Sequence, residues 1–265
     1  MSDIVNKDIE IAVIGAGRFG RFWGKHLSRF YPVSFYDTDI SCQPLVEPFG
    51  NWAPLHECLN KDFIFLTIPI RGIENFLKEY SSHFAPGTVL LDCASVKMVV
   101  MDWFQQHLPE NIHFAATHPL FGPDSARNGL EGHTITLIPG KIPFGLYSSL
   151  VDLFSERMRL RMLNISAEGH DRLMAYNLSL IHHLGRTFHD MHISQISLKM
   201  ASLSKLNHIA RVTMNDSEEL FYDFYHFNPF AKEVEENFLR SFRKISDNIG
   251  AYFKERKQTE DLTCQ

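Results

Sequence analysis

The chain has 265 residues, 45% hydrophobic and 22% charged, which is enough apolar material for two modest domains or one large one. Its formal net charge of −5, with acidic and basic residues interspersed, argues against a nucleic-acid surface, which needs a basic face. The cysteines (Cys42, Cys58, Cys93, Cys264) form no C-x-x-C pair, the first residues are polar, and no apolar run is long enough for a bilayer; the expectation is a cytoplasmic protein with reduced thiols, no metal, no nucleic-acid partner and no membrane contact.

In chain order, Ile9–Ile14 reads as a short buried strand that runs straight into Gly15-Ala16-Gly17-Arg18-Phe19-Gly20. A helical pattern follows over Phe19–Phe30, with Phe22, Trp23 and Leu27 as its buried positions. Val33–Tyr36 is a second strand ending at Asp37, Asp62–Ile68 a third, and Val89–Asp92 a fourth. His113–Thr117 and Thr134–Ile138 continue the series. Short β-rich runs separated by helix-length spacers predict an α/β fold, a doubly wound parallel Rossmann sheet over residues 1–164. From Ser166 onward only helical stretches are found, over Ala167–Met191, Ser194–Met214 and Pro229–Lys257, broken at Asn215-Asp216-Ser217 and Asn228-Pro229. Residues 165–265 are therefore expected to form an all-helical domain. Its apolar positions exceed one face per helix, which points to burial against a second copy and a homodimer.

The glycine loop is informative because it follows a strand and opens a helix. Gly15 permits the tight turn, Gly17 lets the backbone approach a pyrophosphate, and Gly20 allows close helix–strand packing, with Arg18 and Phe19 beside them at the helix start. The helix N-terminus offers amide donors and a positive dipole end to the phosphates. Asp37, at the end of the second strand, suits the ribose hydroxyls of the adenosine half and would repel a 2′-phosphate, which favours NAD over NADP. The alternative for Asp37 is a solvated turn carboxylate beside Thr38 and Asp39. Thr67-Ile68-Pro69 closes the third strand where nicotinamide and substrate would approach.

Two further clusters stand at strand ends on the same edge, Asp92-Cys93-Ala94-Ser95-Val96-Lys97 and Thr117-His118-Pro119-Leu120-Phe121-Gly122-Pro123-Asp124. Taken alone, Ser95 could be a helix cap and His118 a turn histidine. Together they suggest a hydroxyl and an imidazole converging on a substrate.

The S-V-K at Ser95–Lys97, the T-H-P-L-F-G-P at Thr117–Pro123 and the H-D-R-L-M-A-Y at His170–Tyr176, in that order after the glycine loop, resemble the prephenate/arogenate dehydrogenase family. The resemblance runs from Gly15 to about Asp223. It implies oxidative decarboxylation on the route to tyrosine, with hydride passing to NAD and no metal or second cofactor. His118 would then hydrogen-bond the substrate's ring hydroxyl and take its proton while neutral. Ser95 matches the serine of the same polar network, and Lys97 the motif lysine, grouped with the substrate-binding residues without an assigned task. His182 becomes the better histidine for the substrate pocket, with His183, His189 and His192 as surface or interface residues. Arg211, shortly before Asp216, matches the family's arginine for the ring carboxylate, which a guanidinium binds as a bidentate fork. Ser217 stands where the family often has proline. Asp124 is placed to attract an α-amine or repel a keto acid, and the choice between prephenate and arogenate stays open, with prephenate slightly favoured. Other readings are a β-hydroxyacid dehydrogenase or imine reductase, which shares this domain order, and a dinucleotide-binding protein without catalysis.

Overall fold

The apolar runs form one eight-stranded sheet in the computed structural model, which describes residues 9–196 and 200–263. The strands are β1 (Ile11–Ile14), β2 (Val33–Tyr36), β3 (Asn51–Trp52), β4 (Phe63–Leu66), β5 (Val89–Asp92), β6 (His113–Pro119), β7 (Thr134–Pro139) and β8 (Arg161–Leu163). Their order in the sheet is β3-β2-β1-β4-β5-β6-β7-β8, so the chain reverses direction of travel between β1 and β4. The helices of this part are α1 (Arg18–Leu27), the single turns α2 (Gln43–Val46) and α3 (Leu55–Cys58), then α4 (Ile70–Tyr80), α5 (Met98–His107) and α6 (Phe144–Asp152).

The central strands are buried on both faces, which is why they read as continuous apolar runs. Alternate residues feed two cores. Ile11, Val13, Phe35, Phe65 and Leu91 pack with Trp23 and Leu27 of α1 and Phe154 on one side. Ala12, Ile14, Ile64, Leu66 and Leu90 pack with Leu77 of α4 and Phe104 of α5 on the other. Parallel register brings Ile14 beside Tyr36 and Leu66, Leu66 beside Asp92, and Asp92 beside Ala116. Gly15, Asp37, Thr67 and Cys93 therefore leave the sheet in one row at its carboxyl edge, level with Thr117 of β6, where open α/β sheets bind ligands.

The expected parallel Rossmann sheet is present, parallel from β3 through β6, and within it β7 pairs with β6 antiparallel, His118 lying opposite Thr136. The segment between them, residues 120–133, holds turns and no helix, and a parallel return needs a crossover. The short edge strands β3 and β8 also lay below what periodicity could detect.

Past β8 the described residues hold helices and connecting turns: α7 (Ala167–Met174), a π-helical segment Ala175–Leu180, α8 (Ile181–Asp190), α9 (Ala201–Thr213), α10 (Glu218–Phe227) and α11 (Ala231–Thr263). The stretch expected as one helix from Ser194 begins with a 3-10 turn, Ile193–Gln195, and residues 197–199 of it lie outside the described residues. α10 occupies a stretch left between breaks, because Ser217 is a cap: its hydroxyl accepts the Leu220 N–H at 3.2 Å. Two compact units result, Met1–Asp171 and Arg172–Gln265, which groups His170 and Asp171 with the sheet.

Candidate active site

Each glycine of the loop has a separate physical task. Gly15 has φ +103°, and a Cβ there would sit 2.8 Å from the Thr67 carbonyl. At Gly20 a Cβ would fall 1.8 Å from the Gly15 carbonyl oxygen, so α1 rests on the loop with no room for a side chain. A Cβ at Gly17 would meet nothing within 4 Å. The protein's own packing does not require glycine at that position, whereas close approach of a ligand to the backbone does. The Thr67 hydroxyl donates to the Gly15 carbonyl at 2.6 Å and ties the loop to the end of β4.

Asp37 holds the loop from the other side. Its carboxylate accepts the Ala16 N–H on Oδ2 at 2.6 Å and, on Oδ1, the Asp39 N–H at 2.9 Å and the Thr38 hydroxyl at 3.4 Å, which leaves a further lone pair on Oδ2. Beside it a cleft of about 310 Å³ is lined by Gly15, Tyr36, Asp37, Ile68, Phe76 and Tyr80, an apolar-walled space at the β1–β4 crevice. Pro69 is exposed and precedes α4. Arg18 is exposed at the start of α1 and pairs with Asp124 at 2.5 Å, so the acidic residue expected near the substrate side chain meets the glycine loop. Phe19 stacks on Trp23 at 6.2 Å and belongs to the core rather than to the loop's open face.

A buried polar network occupies the ends of β5 and β6. The Lys97 ammonium donates to the Asp92 carboxylate and, at 2.6 Å, to the Thr117 carbonyl; both charged side chains are fully buried. Burial pushes the Asp92 carboxyl above the usual carboxylate range, and the Lys97 charge opposes it. Lys97 thus joins β5 to β6 with its side chain fully buried. Asp171 caps α5 from α7, accepting the N–H of Lys97 at 2.8 Å and of Met98 at 2.9 Å. His170 Nδ1 lies 2.8 Å from Asp171, and His170 Nε2 lies 2.9 Å from His118 Nδ1. Burial, the neighbouring His170 ring and the Lys97 charge hold the His118 imidazole well below its ordinary pKa. Ser95 Oγ is buried without a hydrogen-bond partner, an orphaned hydroxyl of the sort a ligand satisfies. Burial pushes the Cys93 thiol up to about 12, which favours its protonated form.

In the second unit, His182 is buried, with Nε2 at 3.4 Å from Asp216 and its ring edge on Phe224. Its Nδ1 is buried without a partner, as are Ser179 Oγ and Arg186 Nε. Arg186 donates to the carbonyls of Asp216 and Ser217 and lies over the Phe221 ring. Arg211 is exposed, with His208 Nδ1 at 3.4 Å. His183 approaches Glu235 at 3.3 Å, and His189 and His192 are exposed.

Sequence reasoning singled out His118, Ser95, Lys97, Asp37, Thr67 and the glycines, all of which stand along one edge of the sheet. The His170-Asp171 pair is visible in the sequence only as a motif, and Asp92, three residues before Ser95, is marked there only as the end of a strand.

Residues 49–142 match the family model described as prephenate dehydrogenase, nucleotide-binding domain, and residues 187–261 the model described as TYRAAT1-like, C-terminal domain. Arogenate dehydrogenase 1, chloroplastic, of Arabidopsis thaliana is 27% identical over 255 residues, covering 91% of this chain and 39% of that protein. A probable arogenate/prephenate dehydrogenase of Methanocaldococcus jannaschii is 28% identical over 260 residues, covering 92% of this chain and 57% of its own length. The chain thus spans less than two thirds of both relatives. Among solved structures, prephenate dehydrogenase from A. aeolicus, in complex with hydroxyphenyl propionate and NAD+, aligns with a TM-score of 0.72 at 18% identity over 96% of this chain and 98% of that one. Arogenate dehydrogenase from Synechocystis aligns with a TM-score of 0.67 at 18% identity, over 95% and 94% of the two chains.

Proposed function

We propose that this chain, which belongs to the prephenate/arogenate dehydrogenase family, catalyses NAD-dependent oxidative decarboxylation of prephenate or arogenate. The observation that carries the reading is His118, a buried imidazole at the carboxyl edge of the sheet with Nδ1 engaged by His170 and Nε2 left for a substrate hydroxyl. NAD fits the residues that would hold it: the open backbone face at Gly17, the start of α1, the cleft beside Asp37, and the Asp37 carboxylate for the ribose. The nicotinamide supplies the hydride acceptor. His118 Nε2 takes the proton of the ring hydroxyl as the carbonyl forms, and Ser95 donates to or accepts from the same oxygen. Loss of the ring carboxylate as carbon dioxide leaves its bonding electrons in the ring, which becomes a phenolate and takes the proton back from His118. Arg211 is assigned to the ring carboxylate and His182 to the substrate pocket on the order of the motifs. Reduction of NAD by the protein, followed with prephenate and arogenate side by side, tests the reading; prephenate is the expected preference, and inactivity with both would refute it.

Cofactor choice has its own test. Asp37→Ser removes a charge-assisted ribose contact and the repulsion of a 2′-phosphate, so the NAD:NADP ratio of kcat/KM should fall by about tenfold. The ratio matters more than the absolute rate, because Asp37 also holds the Ala16 N–H. Equal use of both cofactors by the unmodified protein would contradict the assignment.

Homodimerisation is proposed through α11. Leu239, Phe242, Ile245, Ile249, Tyr252 and Phe253 are exposed at spacings that place them on one helix face, an apolar stripe that a solvated monomer does not keep. Light scattering at micromolar concentration should give twice the chain mass, and the paired change Phe242→Glu and Ile249→Glu should give monomers. A monomeric unmodified chain would end this proposal.

A further inference from the structure

His118 Nδ1, His170 Nε2, His170 Nδ1 and Asp171 Oδ1 form a continuous row, with gaps of 2.9 Å and 2.8 Å between the three side chains. Each gap needs one donor and one acceptor, and the far end fixes the direction. Asp171 receives the Lys97 N–H on Oδ1 and the Met98 N–H on Oδ2. Backbone amides at a helix start only donate, so both Asp171 oxygens are acceptors there. His170 Nδ1 must then donate to Asp171, and a neutral His170 presents its lone pair on Nε2. His118 Nδ1 has to donate to that lone pair, and its own second lone pair is left on Nε2.

We propose that His170, oriented by Asp171, is a positioning residue that keeps the His118 proton on Nδ1 and its lone pair on Nε2, the atom that accepts the substrate hydroxyl proton. The proposal rests on the dehydrogenase reading of this site. The row also accounts for the burial of a second histidine beside the first. When the hydroxyl proton arrives, the O–H bond breaks and an Nε2–H bond forms; Nδ1–H of the resulting imidazolium stays on His170, whose other nitrogen faces the Asp171 charge. Aromatisation returns the proton to the phenolate oxygen, and the row is restored with no other bond changed.

A proton on His170 Nε2 would undo this. That nitrogen would become a donor, His118 Nδ1 would become its acceptor, and the neutral His118 ring would carry Nε2–H, which cannot take a proton. Burial holds the His170 imidazole below its ordinary pKa, the Asp171 hydrogen bond pulls it up, and the Lys97 charge pushes it down, the net being a lowered value. The charged and titratable groups facing the pair are thus Lys97 and Asp92 from the end of β5 and its loop, and Asp171 from α7.

The test uses the whole chain labelled with [15N]histidine, the His118 signals being those lost in His118→Asn. Without substrate at neutral pH, His118 should show the tautomer protonated at Nδ1. His170→Ala should give mixed tautomers, whereas His170→Gln should keep the Nδ1–H form, since an amide oxygen can accept it. In turnover, His170→Ala should lower kcat about a hundredfold with KM within about threefold, and His170→Gln should recover about tenfold of that loss. A merely structural role for His170 would move neither the tautomer nor the difference between alanine and glutamine. An Nε2–H tautomer in the unmodified protein, or equal loss in both folded variants, would overturn the proposal. If the unmodified chain turned over neither substrate, the functional reading alone would fail, because the tautomer is read without substrate and still decides the positioning.

Discussion

Replacing His118 by asparagine is expected to lower kcat by about a hundredfold or more while changing KM much less. Asparagine preserves the approximate size of the imidazole and one polar contact, but it cannot accept a proton. The lost interaction develops as the hydroxyl proton leaves, so it appears in the rate rather than in substrate affinity. The pH dependence follows from the same burial. Because the desolvated site, His170 and Lys97 hold His118 well below its ordinary pKa, the base is neutral throughout the neutral range. For the unmodified protein kcat/KM should therefore be level near neutrality and fall only at a pH below the usual histidine value, as Nε2 is protonated. Thermal melts check that the variant is folded. A folded His118→Asn protein with near-normal kcat would remove His118 from the mechanism.

The second large effect is on stability. Lys97→Met should cost about 3–5 kcal/mol in unfolding free energy, because it leaves the Asp92 carboxylate buried without its cation. Asp92 keeps the Ala94 N–H at 3.0 Å and the Thr117 N–H at 3.3 Å, but the ammonium also bonded the Thr117 carbonyl, so two buried acceptors lose their donor together. The loss should be smaller when Asp92→Asn accompanies Lys97→Met, since the uncompensated charge is then gone. Urea unfolding of the single and double variants provides the comparison. A Lys97→Met protein within about 0.5 kcal/mol of the parent would show that the pair does not hold β5 to β6.

The parts of the site that could be read from sequence are those built within one short segment. Gly15, Gly17 and Gly20 lie in six consecutive residues between a strand and a helix, and their roles follow from local backbone geometry. Asp37 was legible because it ends the next strand of a parallel sheet. The task of Lys97 was not, since its partners, Asp92 and the Thr117 carbonyl, meet it only through the parallel register of β5 and β6. His170-Asp171 was visible as a motif, yet its contact with His118 spans a sequence separation of 52 residues and requires α7 to dock at the start of α5. β7 was seen as a strand but not as an antiparallel one; the helix-free segment after β6 was the available signal. α10 escaped because Asn215-Asp216-Ser217 is a break and a helix start at once, and turn chemistry and cap chemistry use the same residue types.

The central claim is that this site couples hydride transfer from a ring carbinol to loss of a ring carboxylate. The most direct test measures reduced NAD and released carbon dioxide together, in the same vessel, with prephenate and with arogenate. Equal molar amounts of the two products are expected with at least one of these substrates, and His118→Asn should suppress both together. Reduced NAD without carbon dioxide would point to a simple alcohol or amine dehydrogenase, and neither product from either substrate would contradict the account.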